Sequence, residues 1–238
     1  MFDAKKLLDQ FLGSQVPGLG GSVRDRAGEA MQTARNNPMK TGALAAVLLG
    51  TKTGRSIAGN ALAIGGLAAI AGLGYQAYKN YQSGQAPAAP SDAPSANNPV
   101  LLPPAESGFG PASPAGSNEF VLVLIRAMIA AAKADGHIDA AERALIMDKI
   151  TAADVSGEAA AFIERELASP TDIDALVAAA VTEEQRVELY TASRLTIDPD
   201  SRAERGYLDL LAGRLGLADQ LVDHIEATVS SAKTTLSQ

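Results

Sequence analysis

The chain has 238 residues, no Cys, no Trp, 4% aromatics and a formal charge of −7. Thiolate metal sites, disulfides and cysteine nucleophiles are excluded. Residues 1–82 carry nine Lys/Arg against four Asp/Glu, and residues 83–238 carry eleven against twenty-three. The acidic half argues against nucleic acid, whose phosphates need clustered Lys/Arg, and the basic half suits an anionic membrane surface.

Four regions follow in chain order. Residues 1–38 begin with an amphipathic stretch in which Phe2, Leu7, Leu8, Phe11 and Leu12 share a helical face, and "VPGLGGS" breaks it. The start lacks the basic and apolar regions of a secretory signal. A second short helix is expected from Ser22 to Arg35.

Residues 39–82 are Gly/Ala-rich. "SIAGNALAIGGLAAIAGLGY", residues 56–75, has no charge. At about 1.5 Å per residue it reaches about 30 Å, the hydrocarbon thickness of a bilayer. Lys52 and Arg55 precede it, and Tyr75, Tyr78, Lys79 and Tyr81 follow as an interfacial belt would. The stretch is therefore expected to be a single membrane anchor, with a buried Ala/Gly-rich soluble hairpin as the alternative. Ala61, Gly65 and Ala69 recur every four residues, a face suited to close helix approach and homo-oligomer formation. The flanking positive charges favour a cytoplasmic N-terminus.

Residues 83–118 hold eight of the twelve prolines and read as a disordered Pro/Ala/Ser linker, with the apolar island Val100-Leu101-Leu102 inside it. Residues 119–238 show helical periodicity throughout. Val121, Leu124, Ile125, Met128, Ile129 and Ala132 form one apolar stripe. Phe162, Ile163 and Leu167 form a second, Ile173, Leu176, Val177 and Ala180 a third, and Leu221, Val222, Ile225 and Val229 a fourth. Thr182-x-x-Gln185 and Ser201-x-x-Glu204 are capping boxes, and Thr171-x-x-Asp174 is a partial one. An all-α fold of about seven helices and no strand is expected here.

The chemistry concentrates in "ADGHIDAAE", residues 134–142. One reading is structural: Gly136 ends a helix, Asp139 caps the next, and Glu142 completes a capping box. The other is a cation site, because Asp135-Gly136-x-Ile138-Asp139-x-x-Glu142 matches the second half of an EF-hand loop. The first half is missing, since Ala131 and Lys133 stand where acids belong. A second acidic hinge, "TIDPDSRAE", offers Asp198, Asp200 and Glu204. Of the two histidines, His224 is expected at the surface or boundary and His137 to act through its backbone. There is no Gly-x-Ser-x-Gly elbow, and "GTKTGRS" lacks the end of a phosphate loop. A non-enzymatic module is expected.

"AMIAAAKADGHIDAAER" together with "DPDSRAERGYLDLLAGRLGL" resembles the TerB-like (tellurite-resistance B-like) helical domain. Joined to a Gly/Ala-rich segment by a linker, it is similar to the DUF533 family of YebE-type inner-membrane proteins. The resemblance implies a helical domain at 119–238 with an internal repeat, a bacterial inner-membrane location, and a role linked to envelope stress or tellurite-type resistance through an unknown protein partner. It also implies a divalent cation such as Ca²⁺ or Mg²⁺ held by Asp135, Asp139 and Glu142, with Asp198, Asp200 and Glu204. The two hinges are not close copies. No His-Pro-Asp occurs, so J-domain activity is not implied.

Overall fold

The computed structural model describes residues 3–5, 7–8, 66–87, 101–134, 136 and 157–235. Its helices are α1 (Gly66–Gln82), α2 (Asn118–Ala132), α3 (Gly157–Ala168), α4 (Ile173–Ala179), α5 (Glu183–Thr196), α6 (Arg202–Leu215) and α7 (Asp219–Thr235), with a 3-10 turn at Pro114–Gly116. No strand occurs among the described residues, in keeping with the all-α expectation.

The centre of the bundle is α5, which packs against α1, α2, α6 and α7. Its start is the expected capping box: Thr182 Oγ1 accepts from Gln185 N, and Gln185 Oε1 accepts from Thr182 N. That exchange satisfies two of the amides a helix start leaves orphaned. Ser201 and Glu204 open α6 in the same way. α4 differs from expectation, because its cap is Asp172, whose carboxylate accepts from Ala175 N, rather than Thr171. α6 ends on Gly216 at φ 67°. There Leu217 N donates to Ala212 O and Gly216 N to Gly213 O, a Schellman turn that needs the left-handed residue.

Apolar faces close the core. Leu124 and Ile125 of α2, Leu211 of α6, and Leu221, Ile225 and Val229 of α7 are fully buried. Arg126 lies over the Phe162 ring at 5.1 Å and pairs with Glu166 at 2.9 Å, which ties α2 to α3.

Two expectations about the N-terminal half change. The second part of the expected membrane span is α1, and α1 is a bundle helix packed on α7 and α5, with Ile70, Leu73 and Ala77 in the common core. Its tyrosines do not form an interfacial belt. Tyr75 and Tyr78 meet Phe109 at ring distances of 5.9 and 5.6 Å, and Tyr81 meets His224 at 6.3 Å. Among the described residues no helix is long and apolar enough to cross a membrane. The physical reason is that an Ala/Gly-rich helix is as well suited to close packing against protein as to lipid. Ala69 is buried within the bundle, whereas Ala61 and Gly65 lie outside the described residues.

The expected linker is the second change. Residues 101–117 fold onto the core in successive turns, with Gly110 N donating to Ser107 O, Ser113 N to Gly110 O and Gly116 N to Ser113 O. Phe109 anchors them at 4% exposure. Gly110 is required there, because a Cβ would collide with the backbone oxygen of Ala105. Ser117 then caps α2 by accepting from Phe120 N at 3.2 Å.

Candidate functional site

Helix α5 poses a chemical problem. Every residue from Val187 to Ile197 is buried, although Glu188, Thr191, Ser193, Arg194 and Thr196 are polar. Buried polar groups are costly unless hydrogen-bonded. Thr191 and Thr196 meet this by donating to the carbonyls of Val187 and Ala192, one turn back. Arg194 is held by Glu226 at 2.6 Å, the Ile197 carbonyl at 2.8 Å and Ser230 at 3.1 Å. Tyr190 donates to the other oxygen of Glu226 at 2.8 Å.

Lys233 of α7 completes this set. Its ammonium donates to the carbonyls of Arg194 and Ile197 and to Asp198 Oδ1. All three donors are used, and the positive charge sits at the C-terminal end of the α5 dipole. Burial, with repulsion from Arg194, lowers the Lys233 pKa to about 8 despite Asp198. Burial pushes the Asp198 carboxyl up, but the hydrogen bond and charge of Lys233 and the charge of Arg194 outweigh it and leave it below the usual range.

The second acidic hinge is thus organised by internal partners. Asp198 pairs with Lys233 and Arg194, and Glu204 caps α6. The Asp200 carbonyl accepts from Arg205, while Asp200 is exposed. No group of three or more acidic or histidine side chains able to hold a metal occurs among the described residues. Asp135, Asp139, Glu142 and His137 lie outside them. His224 is not at the surface: it is 4% exposed and stacked edge-on with Tyr81.

Ser193 Oγ and Glu188 Oε2 lack a hydrogen-bond partner in α5, and of the two Glu188 is the ionisable one. It is 1% exposed, and its Oε2 has no hydrogen-bond partner. Burial, reinforced by Glu184 one turn earlier, pushes its carboxyl well above the usual glutamate range. It lines an elongated cavity of about 360 Å³ with Leu67 and Ala71 of α1, Leu102 and Phe109 of the folded 101–117 segment, and Lys5. The volume is at the lower end of the ~300–1,000 Å³ of small-molecule sites. An apolar cavity with one poised polar group is the common form of such a site. Sequence reasoning missed it. Glu188 falls in a polar-looking run, and its neighbours come from the stretches assigned to membrane and linker.

A second cavity of about 340 Å³ lies among α2, α3 and α4. Its charges are already engaged: Arg126 by Glu166, and Lys133 by the carbonyls of Leu167 and Ser169. It offers no comparable unpaired group.

The described residues therefore define an all-helical protein with an apolar groove beside a buried polar helix. The chain belongs to the DUF533 family, described as proteins of unknown function, whose model matches residues 35–229. It is 31% identical over 114 residues to an uncharacterized protein in the ampR 5′ region of Yersinia enterocolitica, covering 48% of this chain and 82% of that protein. No solved structure matches it.

Two predictions follow from these charges. Between pH 8 and 10 the folded chain releases the Lys233 proton while the unfolded chain keeps it, up to an ordinary pKa of 10.5. Stability from this group therefore rises with pH across that window. Lys233→Met is expected to flatten the rise in melting temperature between pH 8 and 10 relative to the parent. Glu188→Met, which removes an unpartnered buried carboxyl at similar volume, is expected to stabilise the chain by about 1–3 kcal/mol at pH 7 in urea denaturation. Because the folded Glu188 pKa is raised, that advantage shrinks as pH falls towards 4.5.

Proposed function

We propose that this DUF533 protein is a non-enzymatic binding module whose groove beside α5 receives a small ligand with an apolar body. The observation that carries the reading is Glu188, whose buried Oε2 has no hydrogen-bond partner, in a groove lined otherwise by apolar residues and Lys5. A purely structural helix gains nothing from such a group, which costs stability where it stands.

The probe is 1-octanol, titrated into the full chain by calorimetry. Saturable binding in the parent is expected, with loss of binding in Ala105→Trp, since Ala105 is an exposed residue of the groove lining. Absence of heat in the parent, or equal binding in both proteins, refutes the groove as a ligand site.

Membrane attachment in a bacterial envelope is the second part of the reading. It is supported by the composition of residues 39–65, where the short stretches 41–50 and 56–65 are free of charge and flank Lys52 and Arg55. With α1 committed to the bundle, attachment by insertion falls to these residues. The protein is expected to remain in the membrane pellet after an alkaline carbonate wash, and release into the supernatant rules insertion out. A role in envelope stress or tellurite-type resistance has the TerB-like resemblance as its support.

Cation binding is the alternative reading, centred on Asp135, Asp139 and Glu142. Its support is Gly136, whose φ of 140° is one that glycine adopts readily, at the position where an acidic cation loop carries its glycine. Calcium titration of the full chain tests it. Heat that disappears in Asp135→Asn is the expected signature, and a silent titration at millimolar Ca²⁺ removes this reading.

A further inference from the structure

We infer that the groove beside α5 recognises a primary amine carried on a short apolar chain, with Glu188 receiving the ammonium. The inference rests on the groove being a ligand site and adds the chemistry of the ligand's polar end.

Glu188 Oε2 is shielded from water and accepts no hydrogen bond. Lys5, the other charged residue of the described lining, makes neither a hydrogen bond nor an ion pair with it. The occupant must therefore bring a donor. A hard divalent cation needs six to eight oxygens, several of them carboxylate, and Glu188 is the lone acid of the described lining. A guanidinium presents five N–H donors in a rigid fork, too many for one carboxyl in apolar surroundings. A hydroxyl satisfies the oxygen but leaves any charge on it uncompensated.

An ammonium fits on both counts. It matches the charge, and bonds to charged groups are roughly twice as strong as neutral ones. Leu67 and Phe109 supply apolar surface for the chain that carries it. An amine brought to the carboxyl forms an ion pair whether the proton starts on the carboxyl or on the amine, which its isosteric alcohol cannot do.

The test compares octylamine with 1-octanol by calorimetric titration of the full-length protein at pH 7. Octylamine is expected to bind about tenfold or more tightly than 1-octanol. Glu188→Gln is expected to erase that preference while leaving 1-octanol affinity within about threefold. Asp223→Asn, which removes one exposed charge of α7 outside the groove lining, controls for general attraction to an acidic protein and is expected to preserve the preference. Circular dichroism melting verifies that each variant is folded. Octanol binding without an amine preference overturns the inference and leaves the groove standing, whereas failure of both probes removes the groove itself. A preference lost equally in Asp223→Asn also overturns it, because the selectivity is then long-range and not local to Glu188.

Discussion

The structure depends on taking a polar helix into the middle of an all-helical bundle. α5 carries a buried Arg, a buried Glu and three buried hydroxyl residues on one continuous segment, so its position is tenable only if the surrounding helices supply hydrogen-bond partners. α7 does most of this. Glu226, Ser230 and Lys233 lie along it at helical spacing and meet Tyr190, Arg194 and the carbonyl end of α5. Breaking one buried partner leaves a charge uncompensated, which is far more damaging than losing an exposed ion pair. The two helices are thereby held in one register by directional bonds, while non-directional apolar packing from α1, α2 and α6 excludes water around them.

This constraint also separates structural from functional acids. Asp198, Glu204 and Glu226 all have internal partners that explain them. Glu188 does not. Its environment is completed by α1 and by the turn-rich segment around Phe109, so burying these elements also makes the groove. A glycine at 110 allows the segment to double back, and the ring of Phe109 seals it against Tyr75 and Tyr78. The groove is a product of the same packing that takes the second part of the expected anchor and residues 101–117 of the expected linker into the bundle.

Several features were legible because they are local. The capping boxes at Thr182 and Ser201 are four-residue patterns with a fixed hydrogen-bond outcome, and both formed. The stripe Val121, Leu124, Ile125, Met128 and Ile129 repeats at helical spacing, and its members are at least largely buried. The meaning of Tyr75, Tyr78 and Tyr81 was not legible, since an amphipathic ring suits a membrane interface and a protein boundary equally. Phe109 was hidden by the prolines around it. His224 was placed outside because its own helix is polar, and its burial comes from Tyr81, 143 positions away in the chain.

By itself the sequence determined the helical class, the starts of α5 and α6, and the apolar faces of α2 and α7, because each follows from periodicity or from capping over a few residues. Only the tertiary structure decided which acids were free. A carboxylate's availability depends on what lies within about 3 Å of it, and for Asp198 that is a lysine 35 residues further on. The same holds for Glu188, where what matters is that no donor arrives. One-dimensional patterns record which polar groups a chain carries, and folding decides which of them are already partnered.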